Sequence, residues 1–248
     1  LGEEVVEIKI HHTAWSLVEA GDLQGAIAEV DELIRRHPKK ALHHTQLAYV
    51  YLHAGAGQAA RRAAREAVAL EPRNADAYVV LAWTLRHDSL GREYGFDHDR
   101  AGAIAAYRKA RKLDPRHLGA AADLATLLER DARGARYAVG ADLRGAAEAW
   151  RAARAIEDSA EDGLSLIRVL LWDGKASEAE AIARDLPVSD ERDELYITAI
   201  ALARSAADAV MAARSMSDGD ARAQLLANAA ASLTQLRAYA RGRELVTH

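Results

Sequence analysis

The 248-residue chain contains no cysteine, which excludes disulfides, thiolate metal sites and cysteine nucleophiles while leaving the compartment open. Aromatic residues make up only 5% of it, with a single Phe, although half of the residues are hydrophobic. Small alanines therefore carry much of the apolar content, a composition suited to close helix–helix packing. Proline is confined to four positions and glycine to sixteen, which leaves little room for disordered linker. The net charge of −4 lacks the basic excess of a usual nucleic-acid binder. No apolar run approaches the ~18 residues of a membrane span, and no signal peptide is visible. These absences predict a soluble chain of unassigned compartment. Residue 1 is Leu1 rather than Met, which reads as the start of an excised or processed fragment whose targeting signal would lie outside it.

What is present is periodic. Pro38, Pro72, Pro115 and Pro187 each close an alanine-rich helical stretch: E-L-I-R-R-H-P, A-V-A-L-E-P, A-R-K-L-D-P and I-A-R-D-L-P. Proline cannot continue a helix, so each marks the end of a unit. Pro38 and Pro72 are 34 residues apart, Pro72 and Pro115 are 43 apart, and a further 43 lands on Asp158, which ends A-R-A-I-E-D. One helical hairpin cannot bury a core alone and must stack on its neighbours.

The second unit carries Leu47, Ala48 and Tyr51, a break at Gly55, then Ala60, Ala64, Ala67 and Pro72. This resembles the tetratricopeptide repeat, whose pattern runs large-x-x-Leu-small-x-x-Tyr, a Gly turn, then Ala, an aromatic, Ala and Pro. The first unit matches with Leu17, Gly21, Ala26, Val30 and Pro38, the third with Tyr78, Leu81, Ala82, Ala103, Tyr107, Ala110 and Pro115. The fourth has Leu124, Ala125, Ala146, Trp150 and Ala153; the fifth has Leu166, Leu170, Gly174, Ala179 and Ala183. His44 and Ala121 depart from the large residue that usually opens the unit. The resemblance implies an all-α, right-handed α-solenoid forming a single repeat domain over 1–248. Its hairpins fall near 5–38, 41–72, 75–115, 118–158 and 161–187. Residues 190–214 and 219–243 read as two long helices that cap the final repeat.

The two 43-residue units carry the same insertion between their helices. Asp88, Gly91, Tyr94, Asp99, Gly102 and Ala103 align at an offset of 43 with Asp131, Gly134, Tyr137, Asp142, Gly145 and Ala146. Asp99 and Asp142 are expected to cap the following helix, as Asp22 does in the first unit. Tyr94 and Tyr137 are expected to pin each loop onto the neighbouring repeat, so the two loops should share one conformation. The longer hairpin also looks similar to tetratricopeptide regions of bacterial multidomain proteins with a transglutaminase-like domain.

In the repeat family the first helix of each hairpin lines a concave groove. The resemblance places Trp15, Tyr49, Trp83 and Arg168 there, with His53, His87, Arg130 and Trp172 one turn on and Arg86 beside them. An aromatic row flanked by histidines and arginines suits an extended or helical peptide. The carboxylate clamp of some relatives needs Lys and Asn where His11 and Trp15 stand, so no clamp is expected.

Chemistry finds little support. There is no Gly-rich phosphate loop, no H-E-x-x-H and no G-x-S-x-G. His53 and His87 occupy equivalent places on adjacent units but lack a carboxylate to complete a metal site, and the pairs His11-His12 and His43-His44 point apart on a helix. Asp97-x-Asp99 is a fragment of a calcium loop. Arg61 to Arg65 is locally basic and reads as a solvated face. The sequence therefore predicts no catalytic residue, metal or cofactor, no nucleic-acid partner and no membrane insertion. It predicts a protein- or peptide-binding scaffold acting through its groove. The alternative is a regulatory or substrate-positioning module of a larger bacterial enzyme.

Overall fold

The computed structural model describes residues 13–217 and 219–246; His11, His12 and Asp218 lie outside them. Among the described residues the regular structure is helical apart from two isolated β-bridges. The helices are α1 (13–19), α2 (Leu23–Arg36), α3 (Ala41–His53), α4 (Gly57–Leu70), α5 (Ala75–Leu85), α6 (Arg100–Leu113), α7 (Leu118–Leu128), α8 (Leu143–Ile156), α9 (Ala160–Trp172), α10 (Ala176–Asp185), α11 (Asp190–Ala203), α12 (Ala206–Met216) and α13 (Gly219–Val246). They pack as two compact units, Leu1–Ala120 and Ala121–His248.

In the first unit the helices from α2 through α6 pack in succession, and α3 also packs on α5. The second helices approach through small side chains: Ala60, Ala64 and Ala67 on α4, and Ala103 and Ala110 on α6, are fully buried. Alanine there brings the backbones together at little cost in side-chain entropy. Caps fix where the helices start. The side chains of Asp22, Asn74 and Asp99 accept from the N–H groups of Gly25, Ala77 and Gly102, each worth about 1 kcal/mol. Helix α3 has no cap of its own. Its Ala41 N–H instead donates to Glu71 Oε1, 3.0 Å away at the end of α4. Hydrogen bonds from Asn74 and Ala41 hold the Glu71 carboxyl below its ordinary value.

In the second unit α8 to α12 also pack in succession, and α9 packs on α11. One expectation fails here: the stretch 190–214 is two helices. Helix α11 ends at Arg204 with non-helical dihedrals, φ −126° and ψ −92°. Ser205 then caps α12 by accepting from the Asp208 N–H, while its own hydroxyl donates to Asp208 Oδ2. The break has a tertiary cause: Arg204 turns back to the buried Glu180 of α10, with Nε 3.1 Å from Oε2. Helix α13 then packs on α11, α12 and α9.

Candidate functional site

In the first unit Trp15, Tyr49 and Trp83 stand on α1, α3 and α5, the first helices of consecutive hairpins. Trp15 is 50% exposed; Tyr49 and Trp83 are half-buried and meet with ring centroids 4.7 Å apart. His53 sits edge-on to Trp15 at 5.7 Å, and His87 edge-on to Trp83 at 5.0 Å. A cavity of about 240 Å³ opens beside Trp15 and Tyr49, lined further by Ala14, Val30, Gln46 and Val50. Its walls are almost wholly apolar side chains from three helices, which suits an apolar group. His87 Nδ1 lies 2.7 Å from the Trp83 carbonyl, a contact in which the ring N–H donates. Burial pushes this imidazole below its ordinary value, and the hydrogen bond to Trp83 opposes the shift only in part.

The loop between α5 and α6 borders this face and is built as a rigid piece. Asp88, fully buried, accepts from the N–H groups of Leu90 and Arg92 and pairs with the Arg92 guanidinium. Burial alone would raise the Asp88 carboxyl; these donors outweigh it and hold it below its ordinary value. Tyr94 adopts φ 54°, a left-handed conformation costing a tyrosine roughly 1 kcal/mol, and its N–H donates to the Arg86 carbonyl. The loop docks on the α3–α4 turn through glycines. A Cβ on Gly57 would stand 1.9 Å from the Asp88 carbonyl oxygen, and one on Gly91 would stand 3.0 Å from that of Leu52. Arg61 of α4 clamps the same loop by donating to the carbonyls of His87 and Asp97. The basic run is thus not wholly solvated: Arg62 and Arg65 are exposed, but Arg61 is 12% exposed and structural. Asp97 and Asp99 are also engaged, accepting from the backbone N–H groups of Ser89 and Gly102.

The loop between α7 and α8 in the second unit repeats this conformation. Tyr137 has φ 57° and its N–H donates to the Glu129 carbonyl, Asp131 accepts from the N–H groups of Arg133 and Ala135, and Asp142 caps α8 through Gly145. The bridges His87–Glu93 and Arg130–Arg136 also correspond at the 43-residue offset. The side chains differ in one instructive way. Arg86 pairs with Glu93 at 3.0 Å, whereas the equivalent residues Glu129 and Arg136 pair at 2.6 Å with the charges exchanged. Glu129 is fully buried and also accepts from Trp150 Nε1–H at 2.6 Å. The equivalent of Trp150 is Tyr107. An indole can only donate, so it needs the carboxylate.

The remaining sequence-predicted site residues lie in the second unit. Tyr137 reaches the next hairpin and stacks on Trp172, 5.2 Å between centroids and 11° between planes. Burial and the nearby Glu129 carboxylate raise the Tyr137 hydroxyl far above its ordinary value. The ring of Tyr94 meets His98 within its own loop. Trp172 also makes a T-shaped contact with Tyr239 of α13, with centroids 5.0 Å apart. Arg168 pairs with Glu191, and Arg130 donates to the Gly134 carbonyl at 2.9 Å. Among the described residues no group of three or more His, Asp or Glu side chains could hold a metal ion, and no helix is long and apolar enough to cross a membrane.

No family model matches this sequence, and neither does any curated protein. Solved structures do match. A thermophilic TPR protein of Thermus thermophilus, TTC0263, is 20% identical and superposes with a TM-score of 0.52 over 83% of this chain and 99% of its own. Pseudomonas aeruginosa pilF is 14% identical, with a TM-score of 0.59 over 92% of this chain and 99% of its own. The Naa15/Naa10 structure bound to HypK-THB is 18% identical, with a TM-score of 0.59 over 92% of this chain and 35% of the other. The chain has the tetratricopeptide-repeat fold. Within that fold the aromatic row occupies first-helix positions, while Ala60, Ala103, Ala146 and Ala179 hold the contact between helices. Arg61, which the sequence reads as part of a solvated face, and Glu180 each tie one hairpin to the next, while Glu129 ties the two helices of its own hairpin. Glu129 carried a signal: a carboxylate at a half-buried helix end, in step with Arg86 of the preceding unit.

Proposed function

We propose that this chain is a non-enzymatic scaffold that binds an apolar segment of a partner protein along the α1–α3–α5 face. The observation that carries this is the cavity of about 240 Å³ between Trp15 and Tyr49, beside a tryptophan left half exposed. A large side chain of the partner enters there, and the Tyr49–Trp83 pair extends the contact along the row. Well-packed aromatic pockets of this kind concentrate binding energy. His53 and His87 flank the row as polar contacts. The Naa15/Naa10 neighbour, bound to HypK-THB, is a precedent for partner binding on this fold.

The test is a peptide-display selection on the full chain, followed by titration of the selected peptides into wild type and a Trp15→Ala/Tyr49→Ala/Trp83→Ala variant. The peptides should carry large apolar residues. Each aromatic is worth about 2 kcal/mol or more at a hot spot, with non-additivity, so the triple variant should bind at least about 100-fold more weakly. Its unfolding midpoint should move much less. Should binding follow only the folded fraction of an unstable variant, the aromatics are core and the proposal fails.

A further inference from the structure

Helix α13 lies chiefly on α11, also on α12, and with its later turns on α9; α11 and α9 are the first helices of their hairpins. Its inward stripe, Leu225, Leu226, Ala229, Ser232, Leu233, Leu236 and Tyr239, follows helical spacing. Yet over 219–240 only Ala229 and Leu236 are buried, whereas α9 buries seven of its 13 residues. The first turns of α13 join the cluster of Ile197 and Ile200 on α11 and Ala209 and Ala213 on α12 through Leu225, Leu226 and Ala229. Further on it meets α11 through Ser232 Oγ donating to Glu194 Oε1 at 2.9 Å, and α9 through a T-shaped contact of Tyr239 with Trp172. Two cavities flank this seat. One of about 360 Å³ is lined by Leu171, Trp172, Leu202, Leu236 and Tyr239. The other, of about 160 Å³, is bordered by Arg168, Glu191, Thr198 and Ser232. Side chains that line voids forgo dispersion contacts, so a helix seated this way belongs to the low-stability end of its unit.

The surface beneath is fixed without α13. Trp172 is stacked on Tyr137, Arg168 is paired with Glu191, and Glu180 is held by Arg184 and Arg204. We propose that the α9–α11 face is a helix-binding surface, that α13 is its exchangeable resident, and that the competing partner is a helix with the same stripe. That stripe has leucines on successive turns, an alanine at the close crossing and a tyrosine at its end to meet Trp172. The proposal rests on the reading that first-helix faces bind partner segments, and extends it to the second unit. The resident sets the apparent affinity: a partner sees only the fraction of molecules in which α13 is displaced.

The probe is a fluorescein-labelled peptide of residues 219–246, titrated into the full chain. Tyr239→Ala weakens the resident, so this variant should bind the peptide about tenfold or more tightly than wild type. The natural sequence has no cysteine, so a Glu194→Cys/Ser232→Cys variant can be bridged selectively by a short bifunctional thiol reagent. The bridged form should bind the peptide at least about tenfold more weakly than the unbridged form of the same variant, which is its proper reference because both lack the Ser232–Glu194 hydrogen bond. In the wild-type chain without peptide, α13 amides should exchange with solvent faster than those of α9 and α11. Equal exchange in all three helices, or peptide binding unchanged by the bridge, overturns the proposal. The outcome is separable from that of the Trp15 row, because the chain's own helix is the probe and a different unit is read.

Discussion

Exchanging the charges of the Glu129–Arg136 pair in the second unit should destabilise it unless Trp150 is changed as well. Glu129 is fully buried and accepts from both Trp150 Nε1–H and Arg136 Nε–H, each at 2.6 Å. A Glu129→Arg/Arg136→Glu variant copies the order of Arg86 and Glu93, so the ion pair itself can re-form. The indole N–H then faces a guanidinium, which has no acceptor. An unsatisfied buried donor costs about 1–3 kcal/mol, and the guanidinium displaced from good geometry adds a comparable amount. The expected loss is about 3 kcal/mol. Adding Trp150→Tyr supplies a phenol oxygen that accepts from arginine, as the equivalent Tyr107 is chemically able to do. It should restore about 2 kcal/mol, although the same substitution in the native background should cost about 1 kcal/mol. The readout is urea unfolding of the four chains, where a slope of about 2 kcal/mol per molar turns the initial loss into a midpoint shift of about 1.5 M. If Trp150→Tyr costs the same in both backgrounds, the coupling is zero and the correspondence between the two pairs is not chemical.

Two further expectations concern the first unit. Gly57→Ala gains about 1 kcal/mol of helix propensity, but its Cβ would lie 1.9 Å from the Asp88 carbonyl oxygen. The loop must move, so a net loss of about 2 kcal/mol is expected by thermal or urea unfolding; a stabilised variant would disprove the docking contact. For His87, burial lowers the folded-state value, so below about pH 6.5 the unfolded chain binds more protons. Its contribution is present above that pH and declines as pH falls. Compared with His87→Leu, wild type should therefore lose more stability on going from about pH 7.5 to about 5.5, and parallel pH profiles would contradict this.

The repeat was legible because it is written twice, in backbone chemistry and in packing. Prolines mark helix ends, alanines mark close approach, and Asp99 and Asp142 cap helices where sequence alone places them. The twin loops were legible because glycine and a short acceptor are needed at fixed places in one backbone path. What was missed depends on contacts distant in sequence. Ser205-Ala-Ala-Asp208 is a local start signal, yet it lies within an uninterrupted apolar pattern; the break is decided by Arg204 reaching Glu180. Arg61 looks like any surface arginine until the loop it clamps folds beside it. Trp172 has the spacing of a groove residue, but nothing near it announces that Tyr239 will cover it.

The exchanged charges also bear on how two near-copies in one chain fold without confusion. Duplicated hairpins can trade second helices during folding, because their alanine contacts are interchangeable. Were the first helix of one unit to close on the loop and second helix of the other, Arg86 would meet Arg136, and Glu93 would meet Glu129. The indole of Trp150 would face Arg86 with no acceptor. Each mispairing leaves like charges or an unmatched donor in a buried place, a penalty the correct pairing escapes. The polarity of a single ion pair thus gives each copy an address, and chain fidelity is encoded where the packing alone could not tell the copies apart.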